Sequence, residues 1–305
     1  MKVFITGLAG MLGCNIAYKL RKEYIISGVD LIKVNMENVD SYEFDALDYK
    51  KLSDCLKEVN PDIIIHTAAA VNVDKCETEL DYAEKLNVKM TDNICRAARE
   101  VGAKIIYIST DAVFDGTDEN LYYENDKVCP INIYGKTKFK GEEIVRICGE
   151  SLILRTNIYG FNIQNKNSFG EWIYTMLLDD KELNMFTDID FSPILVNDLA
   201  EIIDLLIKKN ISGLYHVCGT GCISKYDFGC ELKDIFNITT GKINKSCSDS
   251  FLFKAKRAKH MGMNNEKISK AIGYKIKTPV ESIKEFYRLY KSGYKEELLR
   301  FGGIS

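Results

Sequence analysis

The chain has 305 residues, of which 46% are hydrophobic and 28% charged, a composition typical of a globular protein rather than a disordered one. Its 41 Lys and Arg residues against 44 Asp and Glu residues leave a net charge of -3, which argues against a nucleic-acid partner, since such binding depends on neutralising phosphates. No apolar run is near the roughly 20 residues that span a bilayer, and no signal peptide precedes the first predicted strand. We therefore expect a cytoplasmic protein with no membrane partner.

The ten cysteines are scattered along the chain without a CxxC pair, and the three histidines lie far apart in the sequence. A chain of this length builds its own hydrophobic core and does not depend on disulfides. We predict reduced thiols and no metal site, because close spacing of Cys and His ligands is missing.

Short apolar runs alternate with amphipathic stretches in the first half of the chain. Strands are predicted at residues 3–6, 25–30, 42–46, 63–68, 105–109 and 152–155, where β-branched residues are frequent. Helices are predicted between them at residues 11–22, 49–59, 81–101 and 133–149. This alternation predicts an α/β protein with a Rossmann-type, doubly wound parallel sheet.

The pattern becomes less regular after Arg155. A strand is predicted at residues 214–218, and helices at 169–178, 197–209, 225–235, 264–272 and 280–290. We predict a dinucleotide-binding domain of residues 1–155 that also receives 190–217 from later in the chain. Residues 156–189 and 218–305 are predicted to form a smaller C-terminal substrate lobe.

A glycine-rich loop follows the first predicted strand directly. Gly7, Gly10 and Gly13 are spaced three residues apart, and Met11 and Leu12 stand between the last two. In such a loop the first glycine permits a tight turn, the second lets the backbone approach a pyrophosphate, and the third allows close packing of helix on sheet. Because the loop joins a predicted strand to a predicted helix, the pattern indicates a dinucleotide site at the helix N-terminus.

An acidic residue, Asp30, ends the second predicted strand, 17 residues after Gly13. A carboxylate at about this distance binds the adenosine ribose hydroxyls in dinucleotide-binding folds. It would repel the 2′-phosphate of NADP, so the sequence favours NAD(H). Lys33 is close enough in sequence to keep NADP(H) as an alternative.

Tyr134 and Lys138 are four residues apart in a predicted helix and therefore share one face. An adjacent ammonium is expected to lower the pKa of a tyrosine from about 10 and so to suit it for proton transfer. Thr110 ends the fifth predicted strand, where ligand crevices of open α/β sheets lie, and can orient a substrate carbonyl. We interpret these three residues as a catalytic set.

Taken together, these motifs resemble the extended short-chain dehydrogenase/reductases, and among them the sequence is most similar to the dTDP-4-dehydrorhamnose reductases. The resemblance extends over nearly the whole chain. It is carried by residues 6–13, 68–70, 73–77, 87–88, 109–116, 123–124, 130–138, 141–142, 198–200, 213–217 and 224–228.

The resemblance implies a reductase that transfers hydride from NAD(P)H to the 4-keto group of a nucleotide-activated deoxysugar. It implies that Tyr134 is the proton donor, that Lys138 activates it and binds the cofactor ribose, and that Thr110 orients the carbonyl. The further residues that it implies are Asp45, Ala46, Ala68, Ala69 and Asn87 for the cofactor, and Asp111 and Asn157 for the substrate.

The sequence departs from these reductases on the sugar side. Ala70, Ala112 and Ile158 stand where the family usually has aromatic residues. The cofactor half retains its motifs, so the departures affect the expected sugar rather than the expected reduction.

Three other functions are alternatives to the 4-keto reductase. A nucleotide-sugar 4,6-dehydratase is excluded, because its acid–base pair of Asp followed by Glu is here Asp111 followed by Ala112. A nucleotide-sugar 4-epimerase needs only the tyrosine and the lysine and stays an alternative, as does a non-catalytic NAD(P)-binding regulatory subunit. The expected partners are a nucleotide sugar and a second copy of the chain in a homodimer.

Overall fold

Short strands and longer helices alternate along the chain, and the computed structural model describes residues 1–164, 166–301 and 303–304. The strands are β1 (Lys2–Thr6), β2 (Ile25–Asp30), β3 (Val34–Asn35), β4 (Val39–Glu43), β5 (Ile63–His66), β6 (Lys104–Thr110), β7 (Ser151–Thr156), β8 (Ile158–Tyr159), β9 (Glu182–Phe186), β10 (Asp190–Phe191), β11 (Ile194–Leu195), β12 (Gly213–His216), β13 (Ile223–Ser224), β14 (Lys242–Ser246), β15 (His260–Met261) and β16 (Gly303–Ile304). The helices are α1 (Met11–Leu20), α2 (Tyr49–Val59), α3 (Val73–Thr78), α4 (Leu80–Glu84), α5 (Met90–Val101), α6 (Ile133–Arg146), α7 (Phe169–Leu178), α8 (Val196–Lys208), α9 (Lys225–Ile235), α10 (Glu266–Ile272), α11 (Pro279–Lys291) and α12 (Tyr294–Phe301). The predicted lobe of residues 156–189 and 218–305 includes Asn165, Gly302 and Ser305, which lie outside the described residues.

Seven of these strands form one parallel sheet in the order β4-β2-β1-β5-β6-β7-β12. Strand β1 pairs with β2 on one side and with β5 on the other. The direction of travel across the sheet therefore reverses between β1 and β5, and the loops after these two strands leave a crevice at their carboxyl ends. This topology confirms the predicted Rossmann-type fold and locates the ligand crevice of the sheet.

Both faces of the sheet are covered because alternate residues of each strand face opposite sides. Val3 and Ile5 of β1 pack against helices α1 and α8. Phe4, between them, faces the second apolar cluster with helices α2 and α5. Residues on both faces are fully buried, as the continuous apolar runs of the sequence predict.

Local differences from the predicted elements have identifiable causes. The third strand was expected at residues 42–46, but β4 ends at Glu43 and the carboxylate of Asp45 instead accepts a hydrogen bond from the Leu47 N–H at 2.9 Å. Residues 81–101, predicted as one helix, are divided into α4, a π-helical segment at Lys85–Lys89 and α5. Helix α3 was not predicted, because six mostly polar residues give no helical periodicity.

Aromatic residues of the second half of the chain extend the apolar cluster that contains Val3 and Ile5. The ring of Phe286 on α11 lies 4.7 Å from that of Phe161 and 5.6 Å from that of Tyr159, between ring centroids. Phe228 on α9 contacts Tyr159 edge-on at 5.0 Å. Between α8 and α9 the chain returns to the large sheet as β12, which pairs with β7.

No helix in the described part of the chain is long and apolar enough to cross a membrane. The ten cysteines are free thiols, and six of them are buried. Buried free cysteines behave mainly as small apolar side chains.

Candidate active site

The glycine loop follows β1 as predicted and leads into helix α1. Gly7 has a φ of 75°, and a Cβ there would lie 2.8 Å from the Ala68 N atom, so this residue must be glycine both for backbone conformation and for space. A Cβ on Gly13 would lie 2.1 Å from the Gly7 carbonyl oxygen. Helix α1 therefore packs against the loop at a distance that only glycine permits.

The second glycine is less crowded than the other two. Among the described residues, a Cβ on Gly10 would meet only the Gly7 carbonyl oxygen, at 3.1 Å. Gly10 is also the N-cap of α1, and no described side chain caps the helix there. The backbone N–H groups at Met11 and Leu12 thus begin a helix whose positive end is free to face a pyrophosphate. The loop fits a dinucleotide.

Asp30 lies at the carboxyl end of β2, beside this loop. Its Oδ2 atom accepts a hydrogen bond from the Ala9 N–H at 2.9 Å, and Oδ1 accepts one from the Leu31 N–H at 2.7 Å. Burial raises the pKa of Asp30, while hydrogen bonds from backbone N–H groups oppose that rise. The carboxylate thus binds the backbone of the glycine loop at Ala9.

Four other residues predicted for the cofactor lie in the segments that follow β4 and β5. Ala68 and Ala69 are partly exposed directly after β5, next to Gly7. Asp45 is exposed and Ala46 is buried in the turn after β4, the strand that pairs with β2. These positions border the edge of the sheet on which Asp30 lies.

Asn87 lies within the π-helical segment and is buried. Its Oδ1 atom accepts a hydrogen bond from the Ala70 N–H at 2.8 Å. Its Nδ2 group donates to the Ala70 carbonyl at 3.2 Å and to the Thr137 hydroxyl at 3.0 Å. The amide thus joins the loop after β5 to helix α6, and both of its N–H groups are used within the protein.

Helix α6 carries Tyr134 and Lys138, and its start is closely packed. The Asn132 side chain accepts a hydrogen bond from the Gly135 N–H at 2.9 Å, which caps the helix, and donates to the Lys256 carbonyl at 3.1 Å. A Cβ on Gly135 would lie 2.1 Å from the Ala112 carbonyl oxygen. This contact brings the first turn of α6 against the chain that follows β6.

Tyr134 and Thr110 meet at this contact. Burial raises the pKa of Tyr134 to about 12, and a hydrogen bond with the Thr110 hydroxyl opposes that rise. The sequence predicts a Tyr134 pKa lowered by Lys138. For the chain alone this prediction is wrong, because desolvation of the phenolate is the larger effect. A raised pKa keeps Tyr134 protonated, which is the form that donates a proton.

Lys138 lies one turn further along α6 and is buried. Its ammonium donates a hydrogen bond to the Ile108 carbonyl at 2.7 Å and lies 4.2 Å from the centre of the Tyr107 ring. Burial lowers the pKa of Lys138 to about 7, and the nearby Glu142 carboxylate opposes this. The lysine is thereby held at the carboxyl end of β6, near Thr110.

Asp111 and Asn157 are joined to Thr110 by hydrogen bonds. The Thr110 hydroxyl donates to Asp111 Oδ1 at 3.0 Å, and Asn157 Nδ2 donates to Asp111 Oδ2 at 2.6 Å. Burial raises the pKa of Asp111, while these hydrogen bonds and the Lys225 ammonium oppose that rise. To orient a substrate carbonyl, the Thr110 proton must turn away from Asp111.

Lys225 was not predicted as a site residue, although it lies within a motif that carried the family resemblance. It is the first residue of α9, and its ammonium lies 3.1 Å from the centre of the Phe191 ring and 4.4 Å from that of Phe169. No periodicity or spacing connects Lys225 with Thr110, since they come from different halves of the chain. Only the fold brings the lysine within electrostatic range of Asp111.

One group of potential metal ligands occurs within the described residues, formed by Asp188, Cys247 and Asp249. The Lys259 ammonium lies 3.2 Å from the carboxylate of Asp188 and 2.9 Å from that of Asp249. The Lys259 ammonium therefore compensates part of the negative charge of these two carboxylates.

The sequence matches the RmlD substrate binding domain family over residues 1–292. The chain belongs to this family. It is 28% identical over 279 residues to dTDP-4-dehydrorhamnose reductase of Escherichia coli K12, a match that covers 88% of this chain and 90% of that protein. The chain is also 29% identical to subunit beta of methionine adenosyltransferase 2 from Mus musculus. That match covers 98% of this chain and 88% of the relative.

A solved structure shows the same relationship within the RmlD family. The dTDP-4-dehydrorhamnose reductase of Bacillus anthracis strain Ames, in complex with NADP, superposes with a TM-score of 0.84 at 29% identity. The match covers 94% of this chain and 98% of that one. Membership of the RmlD family confirms the predicted family, fold class and oxidoreductase class.

Proposed function

We propose that this protein reduces the 4-keto group of a nucleotide-activated deoxysugar with NAD(P)H. The observation that carries the proposal is the hydrogen bond between Tyr134 and the Thr110 hydroxyl at the carboxyl end of β6. Lys138 on the same helix donates to the Ile108 carbonyl of that strand, and the glycine loop presents an uncapped helix N-terminus. The names of the E. coli and B. anthracis relatives support the same reaction.

In this mechanism each residue has a separate task. The bound nicotinamide supplies the hydride. Thr110 orients the substrate carbonyl once its hydroxyl turns from Asp111, and Tyr134 donates the proton that the carbonyl oxygen requires. Lys138, whose ammonium donates to the Ile108 carbonyl, would bind ribose hydroxyls and stabilise negative charge on the Tyr134 oxygen after proton transfer.

The experiment that tests the reaction is oxidation of NADH or NADPH in the presence of 4-keto-sugar nucleotides, followed by absorbance. Because Ala70, Ala112 and Ile158 replace aromatic residues on the sugar side, we expect dTDP-4-dehydrorhamnose to be turned over weakly relative to another 4-keto-sugar nucleotide. Efficient turnover of dTDP-4-dehydrorhamnose would contradict this expectation about the sugar. Absence of turnover with every such substrate would contradict the reductase itself.

The position of Asp30 leads to a prediction about cofactor choice. We expect NADH to bind at least as tightly as NADPH, because a 2′-phosphate would lie against the Asp30 carboxylate. Asp30→Asn removes the charge and should raise the affinity for NADPH relative to that for NADH, as measured by fluorescence titration. Asp40→Asn, at an exposed acid of β4 that is not assigned to the cofactor site, is the matched control. A preference for NADPH that is the same in all three proteins would show that Asp30 does not face the ribose.

The pKa shifts at the site predict the pH dependence of the reduction. Tyr134 must be protonated to donate, and burial, which raises its pKa to about 12, keeps it so throughout the neutral range. Burial lowers the pKa of Lys138 to about 7, so its positive charge is lost as the pH rises through that value. We therefore expect the alkaline decline of kcat/KM to begin near the Lys138 pKa. Lys138→Arg, whose charge persists, should remove this decline, and a decline that persists unchanged in the variant would point to another group.

A regulatory subunit is the second candidate function, favoured by the match to subunit beta of methionine adenosyltransferase 2 over 98% of this chain. Such a protein would bind the dinucleotide without consuming it. The turnover assay distinguishes the two candidates.

The proposal also covers domain organisation, location and oligomeric state. Residues 156–189 and 218–305 form the substrate lobe, and the chain acts in the cytoplasm as a homodimer. A size measurement in solution tests the dimer.

A further inference from the structure

The Lys225 side chain occupies an unusual environment. Its ammonium is placed over two aromatic rings, at 3.1 Å from the centre of Phe191 and 4.4 Å from that of Phe169. Phe191 is almost fully buried, whereas Phe169 is partly exposed. The lysine thus lies at the boundary between the aromatic residues of the second half and the crevice beside β6.

The ammonium lacks the partners that an enclosed cation normally has. Within the described residues, Lys225 Nζ makes no hydrogen bond to an oxygen, and no carboxylate lies within 4.0 Å of it. Lys225 interacts electrostatically with the carboxylate of Asp111. The two oxygens of that carboxylate already accept hydrogen bonds from Thr110 and Asn157. The three N–H donors of Lys225 are therefore available to a ligand, and aromatic rings alone do not satisfy them.

Lys225 is also fixed in position from both sides. Its backbone N–H donates to the Ile189 carbonyl at 3.0 Å, and Ser224 caps the helix by accepting from the Asp227 N–H at 2.9 Å. These hydrogen bonds fix the backbone from which the side chain extends, and the Phe191 and Phe169 rings contact its ammonium. Burial lowers the pKa of Lys225 to about 7, and an anionic oxygen at its Nζ atom would favour the charged form. A side chain in this position without an acceptor is therefore suited to binding an anionic oxygen.

We infer that Lys225 is a specificity-determining residue that binds an anionic oxygen of the nucleotide-sugar substrate. This inference rests on the proposed function and names the residue that recognises the substrate rather than the cofactor. The anionic oxygen belongs either to the sugar-side phosphate or to a carboxylate on the sugar. Both sources present the same chemistry to the ammonium.

The test measures binding of three probes, dTDP-glucose, UDP-glucose and UDP-glucuronic acid, to the NADH-saturated protein by calorimetry. Lys225→Met should weaken binding of the tightest probe by about 10- to 100-fold, as expected for loss of a charge-assisted hydrogen bond. Lys225→Arg should retain most of the affinity, because it keeps the charge. Lys245→Met is the matched control, since Lys245 is an exposed lysine that lies 5.3 Å from the centre of another aromatic ring, Tyr226.

A merely structural role would lower thermal stability and NADH affinity together, so both are measured on each variant. Lys225→Gln replaces Lys225→Met if the latter does not fold. An equal loss for UDP-glucose and UDP-glucuronic acid assigns the contact to the phosphate, and a loss confined to UDP-glucuronic acid assigns it to the carboxylate. If the wild type binds a probe and the neutral variants bind it within about twofold of the wild type, the inference about Lys225 is overturned while the proposed function stands. If the wild type binds none of the probes, the inference about Lys225 is overturned, whereas the proposed function is decided separately by the turnover assay.

Discussion

Replacing Tyr134 with phenylalanine is expected to lower kcat by about 10²–10⁴-fold, or about 3–5 kcal/mol of barrier, because the proton donor is lost. The ring remains, so its packing near Ala70 and Cys76 and the affinity for NADH should change little. Steady-state kinetics and a fluorescence titration measure the two quantities separately.

Lys138→Met is the informative companion to this variant. It should lower the rate and also weaken cofactor binding, because the ammonium is assigned both to the tyrosine and to the ribose. Tyr82→Phe removes a hydroxyl from a tyrosine of the same apolar cluster and is the matched control. Near-normal turnover by Tyr134→Phe would refute the proposed mechanism at its centre and favour the regulatory-subunit alternative.

The second large effect concerns stability. The Glu142 carboxylate on α6 is fully buried and accepts hydrogen bonds from Arg155 Nε at 2.9 Å and Nη2 at 2.8 Å. Glu142→Ala leaves the buried Arg155 guanidinium without its counter-charge, so we expect it to lower the free energy of unfolding by about 3–5 kcal/mol. Urea denaturation measures the change.

Two further variants isolate the ion pair from the rest of α6. Glu143→Ala alters an exposed carboxylate at the next position and should be nearly neutral. Adding Arg155→Met to Glu142→Ala removes the stranded charge and should restore part of the lost stability. A loss in Glu142→Ala no larger than that in Glu143→Ala would mean that the pair contributes nothing to the folded state.

Features of the fold that depend on local pattern could be predicted from the sequence. The boundaries of α2, α7 and α9 agree with the predicted helices, because apolar periodicity and capping residues such as Asp48, Ser168 and Ser224 mark them. The third strand was misplaced by three residues because its pairing with β2, rather than its own apolar content, sets where it lies.

The candidate site was predictable as a set of residues but not as an electrostatic environment. The glycine spacing and the interval from Tyr134 to Lys138 are sequence properties, and the structure brings these residues to one end of the sheet. The raised pKa of Tyr134 and the lowered pKa of Lys138 arise from burial, which depends on chain segments far away in sequence. Asn87 and Lys225 show the same limit, since the Ala70 backbone and the Phe191 ring that they contact are adjacent only after folding.

The late position of β12 in the chain affects how the large sheet folds during translation. Strand β7 ends at Thr156, but the strand that pairs with its outer side begins only at Gly213. The Lys256 carbonyl, which accepts a hydrogen bond from Asn132 at the start of α6, is translated later still. On the ribosome, the first half of the nascent chain therefore exposes β7 as an open edge, which favours pairing with other chains. A fragment truncated at residue 160 should aggregate for the same reason, and a circular permutant that places β12 earlier should form the sheet sooner.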